Sequence, residues 1–205
     1  MRIITISRTF GSGGRELGRR VAELLGFDYY DREIIERVAR ESGLHADYVA
    51  RTLEQGAMRA TPLTVGRSFA CAGSMQGQKT ELLLAERRVI RGIAEANRDC
   101  VIVGRNGDVL LAEQKPFCVF VTAPQEVRIE RCLAHIDGET LSRHEIERRM
   151  RQIDKNRMAT RELIAEGRWG DPTAYHLTVN TAHWDPATLA RAVADAARAW
   201  WECAK

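Results

Sequence analysis

The chain has 205 residues, 44% of them hydrophobic and 29% charged, and a formal net charge of +3. That length and balance suit one globular α/β domain with a core of its own, and so small a charge argues against nucleic acid as a partner. Five cysteines without a CxxC pair exclude a disulfide framework, no apolar run nears the ~18 residues of a membrane span, and a strand-like run from Ile3 predicts no secretory leader, so the expected setting is cytoplasmic with no membrane partner.

The first element is a β-branched run, Ile-Ile-Thr-Ile-Ser from Ile3, of the kind buried on both sheet faces. A turn with three glycines, residues 10–14, follows it. Residues 15–25 then place Leu17, Val21, Leu24 and Leu25 on one helical stripe, with Gly26 as its C-cap. A short strand is predicted over 27–30, and Asp31 is placed as N-cap of a helix over 32–41, with a further helix over 46–55. Residues 55–80 hold five glycines and prolines without a clean period and read either as a substrate-covering insertion or as a surface loop. Beyond them come a helix over 81–97, a strand over 100–103, a turn at 104–107 and a strand over 117–122. A helix entered through Pro124, a long arginine-rich helical region over 141–166, a break at 167–172, a strand over 176–181 and a last amphipathic helix over 186–200 complete the chain. Strands alternating with helices predict a parallel sheet covered on both faces.

The stretch Phe10 to Gly14, between a strand and a helix, has the layout of a phosphate cradle, in which main-chain N–H groups and a helix N-terminus converge on an anion. The full phosphate-loop pattern is G-x-x-x-x-G-K-S/T. Here Gly14 stands where lysine is expected, and Glu16 is read in place of the Ser/Thr that holds Mg²⁺, either taking that role or capping the helix. Arg8, Arg15 and Arg19 are near enough to supply the missing charge, and arginine suits bidentate phosphate contact. Arg105 follows a buried strand directly, at the edge where open α/β sheets bind ligands. Arg148, Arg149, Arg151, Lys155, Arg157 and Arg161 form a cationic run. Arg157 with Arg161, and Arg151 with Lys155, fall on shared helical faces, while Glu145, Glu147 and Glu162 also allow an ordinary solvated face.

The segments ISRTFGSGGRELGRRVAELLG, YYDREII, IVGRNGDVLL, FCVFVTAP and IDKNRMATRELIAEGRWGDPTAYHLTVNT occur in the order seen in the cytidylate kinase-like family, and the chain resembles that family over most of its length. The resemblance implies a P-loop NTPase-like three-layer α/β/α fold with a parallel sheet and an arginine-rich helical lid. It divides one domain, 1–205, into a core of 1–30, 81–125 and 174–205, a nucleoside-monophosphate-binding insertion of about 31–80 and a lid of about 138–172. It implies ATP and Mg²⁺ as cofactors and ATP-dependent phosphoryl transfer to a nucleoside monophosphate, with CMP or dCMP foremost. Residues carried over are Gly11, Ser12, Gly13, Gly14, Arg15 and Glu16 for the donor, Arg8, Asp31, Arg37, Arg105 and Asp154 for the substrate, and Arg151, Lys155 and Arg157 for catalysis; no metal-ligating residue is implied. Val103 and Asn106 replace acids that flank Arg105 in cytidylate kinases. The alternatives are a nucleotide-binding regulator without turnover and a kinase with another small acceptor.

Overall fold

The computed structural model describes residues 1–55, 69–134, 141–165 and 168–203. Five strands form the sheet among these residues: β1 (Ile3–Arg8), β2 (Asp28–Tyr30), β3 (Cys100–Val103), β4 (Phe117–Thr122) and β5 (Leu177–Asn180), in the order β2-β3-β1-β4-β5. Every pairing is parallel. β1 runs beside β3 with Ile4 opposite Val101, and beside β4 with Ile6 opposite Val119. β1, β3 and β4 are buried almost throughout because helices cover both faces, as expected of a parallel sheet.

Alternation along β1 sorts the two layers. Ile4 and Ile6 face α1 (Gly14–Leu25) and the C-terminal helix (Pro186–Cys203), meeting Leu17, Val21, Leu189 and Val193. Ile3, with Cys100 and Ile102 of β3, faces α2 (Arg32–Ser42), α3 (Ala46–Gln55) and α4 (Phe69–Glu95), meeting Ile34, Val38, Val49, Leu82 and Ile90. α1 ends at Gly26 in the left-handed conformation, as predicted. Trp200 packs on Phe117 and Trp201 on Phe27, which seats the C-terminal helix.

Two local expectations change. Residues 69–80 belong to α4 rather than to an irregular segment, and 56–68 lie outside the described residues. Glycines at 73 and 77 read as punctuation, yet the buried stripe Leu82, Ala85, Val89, Ile90 and Ile93 anchors the helix, and propagation adds one hydrogen bond per residue. Asp31 precedes α2 but makes no capping hydrogen bond, because its carboxylate is drawn into ion pairs.

Two further long elements follow β4: α6 (Gln125–Ala134) and α7 (Arg143–Ile164), with α5 (Gly107–Leu110) a single turn after β3. α7 begins with a capping box in which Ser142 accepts from the Glu145 N–H and the Glu145 carboxylate accepts from Ser142. It packs on α6 through Ile129, Ile146 and Met150, and it also reaches α3.

Candidate functional site

The loop after β1 is held from three directions. The Phe10 N–H donates to Asp154 of α7 at 2.8 Å, and the Phe10 carbonyl accepts from Arg128 of α6 at 2.6 Å. The Ser12 carbonyl accepts from Arg131 of α6 at 2.9 Å and from the Thr181 hydroxyl at 2.8 Å, while the Ser12 hydroxyl donates to the Thr9 carbonyl. With its carbonyls occupied by these donors, the loop leads into α1 through Gly13, its left-handed N-cap. A helix N-terminus so fixed presents main-chain N–H groups to an anion.

This loop forms one wall of a cavity of about 520 Å³ that also takes in Arg131 and Arg149, with Trp184, Pro186 and Leu189 as an apolar end. A second, smaller cavity of about 50 Å³ lies outside the ends of β1 and β3, lined by Glu86, Arg105, Thr160 and Trp169 among others. Arg8 and Arg157 line both. Arg157 reaches in from α7, donating to the Arg8 carbonyl at 2.9 Å and lying over the Phe10 ring.

Cations outnumber acids here. Arg8 is only 7% exposed, and Asp31 lies 3.5 Å from its guanidinium while holding Arg15 more closely, at 2.7 Å. Burial, and next the charge of Arg157, hold the Arg8 guanidinium below the ordinary arginine value, against the opposing pull of Asp31. Arg105 pairs at 3.4 Å with Glu86, both nearly buried. Gly104, Arg105 and Asn106 all have positive φ, at 75°, 57° and 50°. A non-glycine residue in this region carries a conformational cost, and two in succession turn the chain sharply at the sheet edge.

The structure therefore brings together Arg8, Gly11, Ser12, Gly13, Gly14, Arg15, Glu16, Asp31, Arg105 and Arg157 around the two cavities. Other expected residues stand elsewhere. Arg37 stacks over Tyr30, with 5.2 Å from its guanidinium carbon to the ring centre. Asp154 holds the loop and Arg128, lies 3.7 Å from Arg157, and lines a separate hollow rather than either of the two cavities. Arg151 and Lys155 are exposed and line a separate hollow with Met150 and Met158, because α7 turns its Arg157 face inward and theirs outward. Arg161, one turn beyond Arg157, is buried in an ion pair with Asp108 and so supports the core instead of facing a phosphate. Counted strictly from Gly14, the Ser/Thr place falls on Arg15, one residue before Glu16. Glu16 is exposed and accepts from Arg20 at 2.8 Å, the closer of two contacts.

Sequence reasoning passed over Arg128, Arg131, Thr181 and Glu86. Arg128 and Arg131 are three apart on the helix that follows β4, a spacing that puts both on the face toward the loop. No group of three His, Cys, Asp or Glu side chains able to hold a metal occurs among the described residues. Glu16 is the carboxylate on the wall of the large cavity, and Mg²⁺ carried on phosphates needs only one or two protein carboxylates.

The profile of the cytidylate kinase-like family matches residues 3–183. A cytidylate kinase of Paramagnetospirillum magneticum is 30% identical over 68% of this chain and 72% of its own. One from Haloarcula marismortui is 24% identical over 90% of this chain and 83% of its own. Among solved structures, an uncharacterized protein from Eubacterium ventriosum superposes with a TM-score of 0.68 at 20% identity, over 95% of this chain and 97% of that one. The shikimate kinase of Acinetobacter baumannii does so with 0.55 at 15% identity, over 94% and 90%, which shows a shared fold. No helix among the described residues is long and apolar enough to cross a membrane.

Proposed function

The chain belongs to the cytidylate kinase-like family, and we propose that it transfers the γ-phosphoryl group of ATP to a nucleoside monophosphate, CMP or dCMP foremost. One observation carries this reading: Arg8 and Arg157 line both cavities at once. Phosphoryl transfer demands in-line positioning and cations at the point where charge moves from donor to acceptor, and little covalent chemistry from the protein.

In this reading the large cavity takes ATP, its phosphates on the loop N–H groups and its base toward Trp184, Pro186 and Leu189. The acceptor phosphate enters the small cavity and meets Arg105, which Glu86 holds in place. Arg157 and Arg8 stand between the two and stabilise the charge that builds as the phosphoryl group passes. Glu16, the carboxylate on the wall of the large cavity, would help hold Mg²⁺ carried in on the donor, and the ion would supply charge neutralisation there. The C-terminal part of α7, with Trp169, lines the small cavity, and its closer approach over a bound acceptor would exclude water and limit loss of the phosphoryl group to hydrolysis.

The small volume of the acceptor cavity, about 50 Å³, favours a second reading in which the acceptor is a compact metabolite rather than a nucleotide. Incubation with ATP, Mg²⁺ and each nucleoside monophosphate, reading ADP and diphosphate together, separates them. Diphosphate formed from CMP or dCMP is the expected result. ADP formed with none of the nucleotides, but with a small hydroxylated or phosphorylated acceptor, would replace the first reading by the second.

A further inference from the structure

The phosphate-loop pattern, laid on this chain with its lysine at Gly14, puts its first glycine on Arg8. The two positions are exchanged: glycine stands where the cation belongs, and a cation where glycine belongs. The exchange is local in space. A Cβ built on Gly14 would lie 2.8 Å from the Cβ of Arg8, so the end of β1 and the start of α1 touch where the side chains would trade places. No side chain fits on Gly14 while Arg8 is present.

A second glycine makes room for the other end of the same side chain. A Cβ on Gly104 would fall 1.6 Å from an Arg8 terminal nitrogen, deep inside contact distance. Arg8 thus lies in a slot bounded by two glycines from different elements, one beneath its stem and one beneath its guanidinium. The slot opens on both cavities. Asp31, its nearby acid, binds Arg15 more closely, which leaves Arg8 with donor capacity toward an incoming anion.

We propose that Arg8 is the relocated phosphate-loop cation: its guanidinium contacts the donor phosphates in place of the absent lysine, from the end of β1 instead of the start of α1. The inference rests on the reading that ATP is the donor. Arginine offers forked donors where lysine offers a point charge, so one side chain can bridge two phosphate oxygens.

The test is the reciprocal exchange. Arg8→Gly is expected to lower turnover by ~100-fold or more and to weaken ATP binding, as removal of one charge-stabilising donor does. Gly14→Lys alone is expected to be equally impaired, since its side chain meets Arg8. The double variant Arg8→Gly/Gly14→Lys restores the ordinary pattern and is expected to recover at least tenfold over either single change. Added guanidinium ion is expected to rescue Arg8→Gly in part and to leave the wild type unaffected, which a merely structural role for Arg8 would not produce. Calorimetry with ATP reads the same comparison without any acceptor, so it holds even if the double variant folds poorly. Wild-type ATP affinity and turnover in Arg8→Gly would overturn the inference. A wild-type protein that binds ATP but phosphorylates no nucleotide would instead overturn the acceptor assignment, and the ATP affinity of Arg8→Gly would still decide the role of Arg8.

Discussion

Arg157 of α7 donates to the main-chain carbonyl of Arg8 at 2.9 Å, joining the helix that lines both cavities to the strand that ends at them. The bond fixes one of the two cations shared by the cavities through the backbone of the other. Positioning of this kind uses a group that mutation of the Arg8 side chain leaves in place.

Arg157→Ala is expected to reduce turnover ~100-fold or more with the fold kept, as loss of a single charge-stabilising donor does. Arg151→Ala and Lys155→Ala, whose side chains line a separate hollow, are each expected to have effects at least tenfold smaller. Steady-state rates with ATP and the active acceptor check the ranking. Equal losses in all three would place the site on the outer face of α7.

Arg105 lines only the small cavity. Arg105→Ala is therefore expected to raise the KM for the acceptor far more than that for ATP, with a lower kcat. Glu86→Gln removes the charge that orients Arg105 and is expected to shift the acceptor KM in the same direction by a smaller factor. A change confined to the ATP KM would assign Arg105 to the donor.

Arg161→Met tests the buried pair with Asp108. It leaves Asp108 as a buried carboxylate without its partner, at a cost of about 3–5 kcal/mol, so chemical denaturation is expected to show a lower midpoint. Asp108→Asn together with Arg161→Met is expected to regain part of the loss, because the stranded charge is gone. An unchanged midpoint in the single variant would mean the pair contributes nothing.

The Glu145 carboxylate is held below its ordinary value of 4.5 by hydrogen bonds from the Ser142 hydroxyl and main chain. A lowered folded value means the folded chain holds this proton less tightly than the unfolded one, so the contribution is complete above 4.5 and is lost as pH falls through the folded value. The N-terminal turn of α7 is expected to fray across that window. Glu145→Gln, which keeps the shape but not the charge, is expected to fray less steeply with pH when followed by amide exchange.

Much of the fold was legible in the sequence. The runs at Ile3, Cys100 and Phe117 are strands because runs rich in β-branched and aromatic residues suit a doubly covered sheet, and Gly26 ends α1 as its chemistry requires. The place of Arg105 at the sheet edge was legible because a charge one glycine beyond a buried strand has to lie near its end. What was hidden depends on partners distant in sequence. Asp31 precedes a helix and reads as a cap, but Arg8, 23 residues before it, claims part of its carboxylate. Arg157 and Arg161 share a helical stripe, yet only the position of Asp108 decides that one faces the cavities and the other the core. The helix over 69–80 was obscured by its glycines, since the stripe that stabilises it lies further along.

The Asp154 contact has a mechanical consequence. Asp154 and Arg157 are neighbours on α7, and they grip the main chain at Phe10 and Arg8, two residues apart. Any swing of α7 large enough to release one grip strains the other. A swing of α7 away from the cavities would therefore pull on the loop as well, so the helix that lines the site is also the latch that holds the loop.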